Sequence, residues 1–162
     1  MPKASKRKAS RPSGAPKTPV EMVREAADAL FRAASECCHQ HDRVSRVHAK
    51  SNVPEEIEAG QQACEHCDEV LRTMTAAYEQ AAASVHPTGD DEKWWKHANA
   101  MWLASREYLR RHGGTEEASR ELKEHSPEQL EKLHTEFELE ASALLGLRHA
   151  TDAYKRDRPA AA

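Results

Sequence analysis

Two short runs hold every cysteine of the chain: Cys37-Cys38-His39-Gln40-His41 and Cys64-Glu65-His66-Cys67. Thiolates and imidazoles in a tetrahedral set are the donors zinc prefers. Cys37 and His41 are four residues apart, and Cys64 and Cys67 three apart. On a helix each pair therefore shares a face and can reach one ion. Cys38 can replace Cys37 after a small rotation. The expected centre is one metal ion held by Cys37 or Cys38, His41, Cys64 and Cys67. Zinc is the first choice, and copper(I) the alternative if sulfur dominates. Four protein ligands would close the site, so its role would be structural or regulatory, without catalysis. His112 and His134 are further imidazoles that later helices could add. The plain alternative is that no metal binds, since free cysteine is among the most buried residue types and packs as a small hydrophobe.

Such a centre needs two helices side by side, with the runs at the same height. Thr18-Pro19-Val20-Glu21 has the pattern of a capping box with proline in the first turn. The first helix is expected over 19–50, with an apolar stripe through Val23, Ala27, Leu30, Ala34, Cys37, His41, Val44 and His48. Pro54 pushes Val53 out of helical geometry and opens a second helix over 54–85. Its stripe runs through Ile57, Gly60, Cys64, Cys67, Leu71, Met74 and Tyr78. Counting from the turn at Ser51/Asn52 places Cys37 level with His66, so the runs agree to about one helical turn, ~5 Å.

A third helix is expected from about 91 to 112, carrying Trp94, Trp95, Trp102 and His112 inwards and stopped by Gly113-Gly114. Residues 115–125 read as a short polar extra helix. Ser126-Pro127-Glu128-Gln129 has the pattern of a second capping box, and a fourth helix should run to about Tyr154. On the third helix, His112 falls level with Cys64. The expected fold is all-α: an antiparallel four-helix bundle over 18–157, with short tails at 1–17 and 158–162.

Charge divides the chain. Six of its 24 basic side chains and none of its 27 acidic ones lie in residues 1–17, which leaves 18 basic against 27 acidic groups, or −9, in the rest. The basic stretch holds Lys3, Lys6, Arg7, Lys8, Arg11 and Lys17, and its proline and glycine content predicts disorder. It suits a phosphate-rich partner through counterion release, but carries no aromatic residue to stack on bases. A second reading follows: a non-enzymatic interaction module whose tail meets nucleic acid or an acidic protein. In that reading the cysteines are plain core, and Trp94, Trp95 or Trp102 serves for docking or for pairing with a second copy. Weaker still is a ferritin-like di-metal carboxylate centre, for which Glu36-x-x-His39 and Glu131-x-x-His134 supply the ligand pattern. No apolar run approaches the ~20 residues of a membrane span. A charged start without an apolar segment argues against a secretory signal, so a cytoplasmic location is expected. No phosphate-binding glycine loop, nucleophile elbow or H-E-x-x-H appears, so the common enzyme classes are not supported.

Overall fold

The computed structural model describes residues 14–122 and 126–158. Among them it contains four helices and no strand: α1 (Pro19–Lys50), α2 (Pro54–Ala82), α3 (Asp91–Glu121) and α4 (Pro127–Asp157). They pack as a helical bundle. α1 lies chiefly on α2, and α3 on α4; the two pairs meet through α1–α4 and α2–α3, with a smaller α1–α3 contact. No helix of the described residues is long and apolar enough to cross a membrane. Of the basic tail residues, Lys3, Lys6, Arg7, Lys8 and Arg11 lie outside the described residues. Lys17 is inside them and pairs with Glu25 at 2.7 Å.

The first cap forms as its residues require. The Glu21 amide donates to Thr18 Oγ1 at 3.2 Å, and the Thr18 amide donates to Glu21 Oε2 at 2.7 Å. The Ser126 cap forms in its forward half, with Gln129 N donating to Ser126 Oγ at 3.2 Å. Gln129 Oε1 is buried without a hydrogen-bond partner, so the reciprocal bond is missing. α2 ends at Ala82, three residues before the expected Val85.

One element departs from expectation. There is no separate short helix after Gly113-Gly114; α3 runs straight through both glycines to Glu121. Neither glycine takes a positive φ; among the described residues only Gly14 and Gly89 do. Packing explains the continuation, because Thr115 and Ala118, one residue and about one turn beyond Gly114, are buried. Burying them outweighs the ~1 kcal/mol that a glycine costs inside a helix. A Cβ added at Gly113 would meet nothing within 4 Å. Gly113→Ala is therefore expected to raise stability by about 0.5–1 kcal/mol, measured by denaturant unfolding. A helix stop at Gly113 would give the opposite sign.

The apolar core fills one end of the bundle. Val23, Ala27, Leu30 and Ala34 of α1 meet Leu71 and Tyr78 of α2, Trp94, Ala98 and Met101 of α3, and Leu147 and Tyr154 of α4, all essentially without solvent contact. Buried tyrosine hydroxyls find acceptors, Tyr78 at Asn99 Oδ1 (2.6 Å) and Tyr154 at Asp28 Oδ1 (2.7 Å). Trp95 and Trp102 lie partly buried against the same cluster. At the other end the stripes are less covered: His48 is exposed, and Phe137 retains 54% of its surface. There a cavity of about 630 Å³ takes the place of packed side chains.

Candidate metal centre

The junction between the dry core and the cavity is polar, and it is assembled from residue pairs one turn apart on three helices. α1 supplies Cys37 and His41, α2 supplies Cys64 and Asp68, and α3 supplies Tyr108 and His112; Glu140 joins them from α4. Spacing of four keeps each pair on one face.

Asp68 is the hub. Its side chain is 4% exposed. Oδ1 accepts from the Cys37 thiol at 3.1 Å and from the Tyr108 hydroxyl at 2.8 Å, and His41 Nε2 stands 3.3 Å away. Tyr108 Oη also lies 2.6 Å from His41 Nε2. Oδ2 is buried and has no hydrogen-bond partner. On that side His112 Nε2 approaches to 3.4 Å, while His112 Nδ1 is bonded to Glu140 Oε1 at 2.8 Å.

The charge states follow from these contacts. Burial would raise the Asp68 carboxyl, but hydrogen bonds from His41, Cys37 and Tyr108 and the charge of His112 carry it below the usual range. His112 is raised, first by its bond to Glu140 and against the effect of burial, then by the charges of Asp68, Glu140 and Glu116. Glu140 is lowered: its burial opposes the shift, and bonds from His112 and Thr115 overcome it. Burial, reinforced by the neighbouring Asp68 charge, holds the Cys37 thiol far above the ordinary thiol range. Cys64 is pushed up to about 11, chiefly by burial.

Cys37, His41 and Asp68 could hold a metal ion, since one donor atom from each lies within 4.8 Å of the others. Two donors bound to one zinc stand about 3.3–3.8 Å apart, given metal–ligand distances of ~2.0–2.3 Å. The 3.1 Å and 3.3 Å separations from Asp68 Oδ1 are close to that. The Tyr108 hydroxyl occupies the lone pairs an ion would use, so binding requires it to turn aside or to offer its own oxygen.

The sequence-derived set is thus only partly brought together. Cys38, Cys64 and Cys67 are buried free thiols that stand outside the close group. Cys38 is rotated about 100° from Cys37 and faces Arg148 of α4. Cys67 lies near Glu36, and Cys64 lines the cavity. Cys37 meets Asp68 instead of the level of His66, an offset of two residues or ~3 Å along the axis. His112 does reach the cluster, at the far oxygen of Asp68. His134 does not: it is 73% exposed and pairs with Glu138. Glu36, His39 and Glu131 are exposed as well, so neither Glu-x-x-His pair points into the bundle and the ferritin-like ligand set is not formed.

Reading stripes by apolar residue type hid Asp68, Tyr108 and Glu140. The signal was there for Asp68: it lies four residues after Cys64 and three before Leu71, on the buried face, where an acid needs partners.

These features define a class, an all-α bundle with a buried Cys/His/Asp group able to hold a metal. The chain matches no protein-family model, and no characterised protein or solved structure shows significant similarity to it.

Proposed function

We propose that the protein is a transition-metal-binding bundle that holds one zinc ion through Cys37, His41 and Asp68, in a structural or regulatory role. The observation that carries this reading is the convergence of one sulfur, one nitrogen and one oxygen donor on a common point. That mixed set suits zinc; copper(I) would want more sulfur. The reading includes an antiparallel bundle. In its support, Cys37 meets Asp68 while Val44, farther along α1, meets Gly60, earlier on α2. Metal content of tag-free protein, reconstituted with zinc and desalted, should be at least one ion per chain. Cys37→Ser and Asp68→Asn should each lower it by about one ion or more. Wild-type protein that stays substoichiometric would reject the centre.

A second reading rests on a different face. His39, Arg43, Arg46 and Lys50 line a surface depression along α1, which Glu56 of α2 also lines. All four are exposed, and among the described residues none makes an ion pair. On a body that is otherwise acidic, this row is a local concentration of basic groups and suits phosphate groups. Single-stranded RNA is the probe. Binding should weaken steeply with salt and fall further in Arg43→Glu/Arg46→Glu. Affinity indifferent to both would remove this reading.

A further inference from the structure

We propose that His112, Asp68 and Glu116 form a second divalent-metal site, sharing the Asp68 carboxylate with the first centre and opening on the cavity. The inference deepens the zinc reading and depends on it only through Asp68.

The geometry argues from what is left unpaired. A histidine that binds metal through one ring nitrogen usually donates the other N–H to a carboxylate, which fixes its tautomer and aim. His112 has that arrangement, with Nδ1 2.8 Å from Glu140 Oε1. Its Nε2 makes no hydrogen bond among the described residues and faces two carboxylate oxygens. Asp68 Oδ2 is 3.4 Å away, and Glu116 Oε1 is also 3.4 Å away. Two donors at ~2.05 Å from one tetrahedral ion stand about 3.35 Å apart, which is the spacing of His112 Nε2 from each oxygen; rotation of the Glu116 side chain sets the third separation, between the two carboxylates. Asp68 Oδ2 is a buried carboxylate oxygen without a hydrogen-bond donor. A protonated His112 faces this oxygen only as an ion pair at 3.4 Å, and a divalent ion replaces that proton and binds both atoms.

Asp68 and His112 are held by their neighbours. Glu116, 53% exposed on α3, is the mobile ligand that closes on the ion by side-chain rotation. The two oxygens of Asp68 then serve two ions, as bridging carboxylates do where metals lie ~3.5–4 Å apart. The centres differ in character. The first is backed by the Cys37 sulfur and the dry core. The second has one nitrogen and two oxygens, and all three of its residues line the cavity. Its remaining position faces solvent and takes water or a small oxygen-donor ligand.

Cobalt(II) separates the two, because thiolate coordination gives a near-ultraviolet charge-transfer band and the second site contains no sulfur. Chelator-treated, tag-free full-length protein is titrated with cobalt(II) and its bound metal counted. The proposal expects about two ions per chain with the thiolate band present. Cys37→Ser should lose the band and keep one ion. His112→Gln should keep the band and lose one ion. Glu116→Gln, on an exposed side chain, should weaken the second ion roughly tenfold without disturbing the fold. A single ion with the band intact, and unchanged in His112→Gln and Glu116→Gln, would overturn the second site and leave the first standing. A single ion without the band, lost in His112→Gln, would support the second site and refute the first.

Discussion

Asp68→Leu is expected to destabilise the metal-free protein by about 3 kcal/mol or more, and Asp68→Asn by about 1 kcal/mol. Both replacements keep the branched heavy-atom skeleton of aspartate, so the contrast is chiefly one of hydrogen bonding and charge. Leucine removes the acceptor that the Cys37 thiol and Tyr108 hydroxyl share. It also strips the buried cationic side of His112 of one of its carboxylates. Asparagine keeps an oxygen at the Oδ1 position, and its amide replaces Oδ2, where it can donate to a neutral His112 Nε2. Equilibrium unfolding in denaturant, with chelator present, measures both. Equal costs would mean that the carboxylate is a space-filler and that the network around it contributes little.

The same cluster sets a pH profile for the metal-free protein. Asp68 and Glu140 lie below their ordinary values of 3.8 and 4.5 in the folded state. Their contribution is complete above those values and is lost as pH falls through the lowered native ones. His112 lies above its ordinary 6.5, so its contribution is complete below that value and is lost as pH rises through the raised native one. Facing these three groups are His41, Cys37, Tyr108 and Glu116. Together they place the best stability of this network between about pH 4.5 and 6.5, where all three ionised forms coexist. Asp68→Asn should flatten both limbs, because it removes one carboxylate and one of the charges that raise His112.

How far the fold could be read in advance depended on what kind of signal each feature leaves. Caps and prolines are local: Thr18, Pro19 and Pro54 set their helix starts by chemistry within four residues, and those starts are where they were expected. Gly113-Gly114 is also a local signal, and it misled, because the burial of Thr115 and Ala118 against other helices decides the matter. The metal centre shows the same division. Cys37 and His41 were legible because their types are rare and their spacing helical. Asp68 is legible only in part: its place between Cys64 and Leu71 puts it on the buried face, but only tertiary contacts reveal that Cys37, His41 and Tyr108 surround it. The height match along α1 and α2 was close but two residues out. At that resolution, helix geometry cannot choose between Cys64, Cys67 and Asp68 as the residue opposite Cys37.

Zinc should stabilise this fold far more than any surface change. Cys37, His41 and Asp68 come together only when α1 and α2 are packed, so the ion binds the folded state and not the unfolded one. At a free zinc concentration one hundred times the dissociation constant, that linkage is worth about 2.7 kcal/mol, or roughly 5–10 °C in Tm for a domain this size. The gain should grow with pH. Binding needs the Cys37 thiolate, and burial together with Asp68 holds that thiol protonated far above the usual range. A proton therefore leaves as the metal enters, and each step up in pH makes the exchange easier. The ion also reverses the local balance that keeps the thiol neutral, since its charge replaces the donors that now satisfy Asp68. Differential scanning calorimetry with and without zinc, at two pH values, reads both effects. Cys37→Ser should remove most of the zinc-dependent shift while leaving the metal-free Tm nearly unchanged, because serine still donates to Asp68. A shift that survives this substitution at full size would place the stabilising ion somewhere other than the Cys37 sulfur.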